Sequence, residues 1–164
     1  ARCVKPHKFV VKITNKMKNS MTFKNALVDT IRFYSNDVTR RSAQCYFDAV
    51  GNKCAIGRLV REDKKELFQE FDNHTQIGNI ESVVHAHQTE RNWTISETEA
   101  IAELTYITDA SIADVSFLQL IHDENPNWGK DGLSSFGRAT VRHFYPEIAD
   151  EVLSALEVGE EAAM

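Results

Sequence analysis

Apolar and polar positions alternate from His7 to Met17, HKFVVKITNKM. Phe9, Val11, Ile13 and Met17 fall on one side and Lys8, Val10, Lys12, Thr14 and Lys16 on the other. A period of two with lysines on one face predicts a half-buried strand with a charged outer surface. Lysines there also discourage edge-to-edge pairing with another chain. The period then lengthens. Phe23, Ala26, Leu27, Thr30, Ile31 and Tyr34 recur at helical spacing, and Ser20 or Thr22 can cap the helix they define. Ala43 to Cys54 contains two short extended pieces around DAVGN, whose Asp, Gly and Asn predict a hairpin turn.

Further along, Ile56, Leu59 and Val60 fit a short helix beginning near Cys54 or Ala55. Gly57 weakens that helix unless something packs closely against it. Asp63 with Glu66 resembles a capping box ahead of Leu67, Phe68 and Phe71, and Asn73 to Asn79 is turn-like. Ile80, Val83, Val84 and His87 make the next stripe, followed by a polar connection over 88–93. Ser96 with Glu99 is a better box, with Ile95 and Ala100 at staple positions and Ile101, Leu104 and Ile107 inward.

The helix expected from about Asp109–Ser111 to His122–Asp123 is apolar over more than half its circumference, which places it at the centre of the core. Asn125–Pro126 ends it. Asn127 to Gly132 is expected as a loop carrying Trp128. Leu133, Phe136, Thr140 and Phe144 predict the buried face of the next helix. Pro146 opens a last helix with Ile148, Val152, Ala155 and Leu156 inward, and residues 157–164 are expected to fray. The expected fold is α+β: a helix-dominated single domain over 1–164, with a small antiparallel β element built near residues 9–17 and 43–55.

Composition agrees with a folded domain. The 164 residues are 42% hydrophobic and 26% charged, enough to bury a core. No apolar run reaches the roughly 20 residues that cross a bilayer, and ARCVKPHKF lacks the apolar stretch of a signal peptide. Three cysteines cannot all pair within one chain, so free thiols and a cytoplasmic setting are expected.

Charge changes the picture more. Residues 1–41 hold ten Lys and Arg against two Asp and Glu, a net of +8, while residues 42–164 carry a net of −13. Lys8, Lys12, Lys16, Arg40 and Arg41 are therefore candidate contacts for an acidic surface or a nucleic acid, unless the basic segment lies against the chain's own acidic part.

The candidate chemistry centres on Cys54 and His122. A cysteine at a helix start, beside Lys53, is biased toward thiolate. A histidine distant in sequence could serve as its base, as in thiol hydrolases. Asp123, next to His122 on the same helix and about 100° away around it, is poorly placed to orient the imidazole. Packing in the core is the competing role for Cys54, because cysteine is among the most buried residue types. A metal site would need Cys45, Cys54 and His122 to converge with a fourth ligand such as Cys3 or His7, and the spacing of the two cysteines is not that of a zinc knuckle. His85 and His87, two apart, would point to different sides of a helix. No phosphate-binding Gly-rich loop and no His-Glu-x-x-His occurs, so neither metal nor cofactor is expected.

Cys45, Gly51, Lys53, Cys54, Ala55, Ile56 and Gly57, with Leu118, Gln119, Ile121, His122, Asp123 and Trp128, form a recognisable pattern. It resembles that of a set of small phage and bacterial proteins with a Gly-x-Lys-Cys-Ala-Ile-Gly turn and a Leu-Gln-x-Ile-His-Asp helix. Here Tyr46 stands one place early against that pattern. The resemblance implies a shared fold and a phage or prophage setting, and no activity. The function expected is non-catalytic: a small intracellular accessory protein that binds a host or viral macromolecule, a protein first of all, with Trp128 either an anchor for it or folded back over Leu118 and Phe136. The alternatives are a thiol hydrolase using Cys54 and His122, and a nucleic-acid binder using residues 1–41. No membrane association is expected.

Overall fold

The computed structural model describes residues 19–35, 46–47, 53–72 and 80–161. Helix dominates them. Helices α1 (Phe23–Ser35), α2 (Lys65–Asp72), α3 (Ile80–Glu90), α4 (Glu97–Leu104) and α5 (Ile112–Asp123) precede a two-stranded antiparallel sheet. The sheet pairs β1 (Trp128–Gly129) with β2 (Gly132–Leu133), and α6 (Ser135–Phe144) and α7 (Ala149–Glu161) follow. The fold is therefore helix-dominated α+β.

The helix starts follow local chemistry. Thr22 Oγ1 accepts from Asn25 N at 3.3 Å at the head of α1. Ser96 and Glu99 form a reciprocal capping box on α4, and Ser111 with Asp114 forms another on α5. Asp63 and Glu66 do not. A 3₁₀ turn, Glu62–Lys64, leads into α2 with no side-chain cap, so backbone geometry does what a box would have done. The helix expected from Cys54 is likewise a single 3₁₀ turn, Gly57–Leu59. A Cβ on Gly57 would lie 2.1 Å from the carbonyl oxygen of Tyr46, which explains glycine there.

The strand expected over residues 7–17 lies outside the described residues, as does the turn at 48–52. An antiparallel bridge does join Phe47 to Lys53, the pairing a hairpin across that turn requires. The two-stranded sheet lies elsewhere, in the segment read as a loop: Trp128 pairs with Leu133 and Gly129 with Gly132, which closes the turn at φ +117°.

Helix α5 occupies the centre, with Val115, Phe117, Leu118 and Ile121 buried. Helix α1 runs parallel to it. Phe23 N donates to Asp109 just before α5, and the ring of Tyr34 meets that of His122 near its end. Helix α7 covers α1, with Lys24 paired to Glu151 and Arg32 donating to the Ala155 carbonyl. It continues helically through Glu161, beyond the point where fraying was expected.

The chain that leaves α4, over 105–108, is stitched on both sides. Met21 N donates to Tyr106 O and Thr108 N to Met21 O, while Tyr106 N donates to Leu59 O and Arg61 N to Leu104 O. Arg61 Nε also reaches the carbonyls of Ala102 and Thr105, at 3.0 and 2.8 Å, and so places a cation at the negative end of α4.

Helix α6 departs from its expected orientation. Gly137 and Val141 face inward, and Phe136 and Phe144 are 61% and 54% exposed. The cause is a close approach that only glycine permits. A Cβ at Gly137 would lie 2.4 Å from the carbonyl oxygen of Asn127. The helix therefore presents Gly137 to the body of the protein, and Phe136, one position earlier, turns outward.

Candidate functional site

Cys54 is completely buried. Its Sγ accepts from Gly57 N at 3.4 Å, within the turn that follows it. This is the local partner a thiol finds at a helical start, but it is made in the interior. His122 is also buried, at 1% exposure.

Its Nδ1 lies 2.8 Å from Asp123 Oδ1, and Gln119 Nε2 donates to the same carboxylate oxygen at 2.7 Å. The sequence argument had Asp123 misplaced for this. Gln119, His122 and Asp123 stand at i, i+3 and i+4, which puts all three on one stripe with Gln119 as shared neighbour. With Asp123 accepting at Nδ1, the imidazole carries its free lone pair on Nε2, the nitrogen a general base would use. That Nε2 is buried and has no hydrogen-bond partner, so it is not bonded to the Cys54 thiol. Tyr34 touches both neighbourhoods: its ring is edge-on to His122 with centroids 4.4 Å apart, and its hydroxyl donates to Lys53 O at 2.7 Å. The arrangement holds an oriented histidine and a buried thiol that are not coupled as base and nucleophile.

Trp128 is partly buried against the core. Its Nε1 donates to the carbonyls of Ile121 and His122 at 2.9 and 3.3 Å. Asn127 Nδ2 reaches Ile121 O as well, at 3.4 Å. The indole thus satisfies carbonyls at the open end of α5 instead of standing free as an anchor. The strand pairing of β1 with β2, unseen in the sequence, turns it inward.

Among the histidines, His87 is buried and joins α3 to α4 through Nε2 at 2.9 Å from Glu103 Oε2. That hydrogen bond holds the Glu103 carboxyl below its ordinary pKa, and Arg91, 3.5 Å away, adds to the effect. His85 is exposed and lies beside Trp93. Lys8, Lys12, Lys16, Arg40 and Arg41, like Cys3, His7 and Cys45, lie outside the described residues. Among the described residues no three His, Cys, Asp or Glu side chains are grouped to hold a metal, and no helix is long and apolar enough to cross a membrane.

Among the described residues, the large apolar side chains that remain exposed are Trp93, Leu120, Phe136 and Phe144. Phe144 rests on buried Phe117, with centroids 5.3 Å apart, and on exposed His143 at 5.0 Å. Phe136, Thr140 and His143 follow one another along the outer face of α6 at i, i+4 and i+7. No family model, no curated protein and no solved structure matches the chain.

Proposed function

We propose that this is a small intracellular accessory protein of phage type that binds a protein partner and catalyses no reaction. The observation that carries the reading is the outer face of α6. Phe136 stands 61% exposed there, in line with Thr140 and His143, and Phe144, the last residue of the helix, is 54% exposed beside it although it continues the inward stripe of Gly137 and Val141. Aromatic side chains remove much apolar area from water when a partner covers them, and a helical stripe is a common form for such a contact. The burial of Cys54 and His122 supports a non-catalytic role. The phage setting rests on the resemblance of the 45–57 and 118–128 segments.

The test is affinity capture from host-cell extract by the full chain, compared with Phe136→Asp and Phe144→Asp. Loss of a captured protein by about 2 kcal/mol of affinity or more, with the melting temperature unchanged, is the expected result. Equal capture by the variants and the parent would refute the role of this face. Hydrolysis of amide or ester substrates that is abolished by Cys54→Ala would refute the non-catalytic reading.

A further inference from the structure

Lys53 is held in place by its backbone. It is bridged to Phe47 across the hairpin, and its carbonyl accepts from the Tyr34 hydroxyl at 2.7 Å. Cross-strand partners project to the same face, and Lys53 Nζ accordingly lies 6.0 Å from the centroid of the Phe47 ring. A second ammonium arrives from elsewhere. Lys65, the first residue of α2, places its Nζ 5.8 Å from the same centroid. Glu62 binds Lys65 at 2.7 Å, and Arg58 is already matched by Asp29 at 3.0 Å. Among the described residues Lys53 has no carboxylate in ion-pair contact. Among the described residues, Lys53, Lys65 and Glu62 therefore leave one positive charge without a matching carboxylate over a ring that is itself buried.

We propose that Lys53 and Lys65 form a binding site for a compact phosphate-class anion, a phosphate monoester or free phosphate, held between the two ammonium groups. Converging like charges on a partly desolvated surface are unfavourable unless something of opposite sign joins them. The pKa of Lys53 is lowered, first by burial and next by the charge of Lys65, with Glu62 acting in the opposite sense and a side-chain hydrogen bond with Lys65 and the charge of Arg58 lowering it further. A dianion between the two groups adds an attraction to Lys53 that opposes the repulsion from Lys65. Phosphate suits the donors. Its tetrahedral oxygens can accept from two ammonium groups that approach from different elements, and lysine meets phosphate as a point charge with no demand for planarity. Phe47 is buried beneath the pair and offers no open face on which a base could stack, so the phosphate itself is what the site can recognise. This site is separate from the outer face of α6 and stands or falls independently of it.

The experiment is a titration of the full chain, ¹³C-labelled in lysine, with inorganic phosphate at constant ionic strength set by sodium chloride. Lys53→Gln and Lys65→Gln assign the two resonances. Both should move together and saturate, the apparent pKa of Lys53 should rise, and either variant should weaken binding about tenfold or more. A second arm uses free phosphoserine, and a third a short oligothymidylate. Phosphoserine binding at least as tight as inorganic phosphate supports the monoester reading. Lysine signals that follow sodium chloride as well as phosphate, or that do not saturate, overturn the site in the unmodified chain, whatever the variants do. Response to the oligonucleotide alone overturns it in favour of a nucleic-acid backbone surface.

Discussion

Asp123 Oδ1 lies 2.8 Å from Nδ1 of its sequence neighbour His122, and Gln119 Nε2 donates to the same oxygen at 2.7 Å. One carboxylate oxygen thus serves two buried side chains, although Asp123 is itself partly exposed. Asp123→Ala should leave the imidazole and the Gln119 amide without their acceptor, in a place water does not reach freely. The expected loss is about 1–3 kcal/mol in urea unfolding. Asp123→Asn, which keeps an acceptor oxygen, should cost less. If both variants unfold like the parent, the network carries no weight.

Cys54 should be inert in the folded protein. Peptide mapping after brief iodoacetamide treatment should find it unmodified, with labelling appearing only as denaturant opens the core. Cys54→Ser should destabilise by about 1 kcal/mol, the low end for a buried hydroxyl, because the Gly57 amide remains available to it. Fast native labelling would return Cys54 to the list of reactive groups.

Trp128 should behave as a clasp on α5. Trp128→Phe keeps the ring area and removes only the indole donor, which costs about 1 kcal/mol. Trp128→Ala should cost about 3 kcal/mol, the lower end for truncating a large aromatic, since the ring is only partly buried. Capture of a partner that depends on α6 should survive Trp128→Phe.

Glu103 gives the α3–α4 junction an acid limit. Its pKa is held down by His87 and Arg91 in the fold, below the value it regains on unfolding. The stability it contributes is present above the ordinary glutamate pKa of about 4.3 and disappears as pH falls through the lower folded value. Glu103→Gln should therefore flatten the decline of melting temperature on the acid side and lower stability near neutrality. An acid-side profile unchanged by that variant would show that other carboxylates govern it.

What could be read from the sequence was mostly local. The Ser96–Glu99 box, the Thr22 cap and the inward stripes of α1 and α3 depend on residues three and four apart, and those distances are written in the chain. The outward turn of Phe136 was not, because it follows from contact between Gly137 and Asn127, which belong to different elements. Pattern alone assigned the phenylalanines to the core. The role of Asp123 is hidden for a related reason: adjacency to His122 says little about it, and Gln119, four residues back, is what draws both onto one stripe. Lys53 and Lys65 are brought to one ring by a hairpin and a separate helix, so their meeting had no signature in spacing. The thiol was legible in part. Cys54 does sit at a helical start, but its depth could not be read from its neighbours.

The partners of α1 set an order of events at the ribosome. Met21, just before it, is tied by its backbone to Tyr106 and Thr108, Phe23 N donates to Asp109, and the side chains of α1 meet α5 and α7. All of these are made after it. At a synthesis rate of roughly 5–20 residues per second, the apolar stripe from Phe23 to Tyr34 waits on the order of ten seconds for the helix that covers it. During that interval it is a greasy segment on a nascent chain, suited to a holding chaperone. A stop codon before α5 would leave it so permanently. Truncated products of this protein should therefore be sticky and short-lived, even when most of their helices have been made.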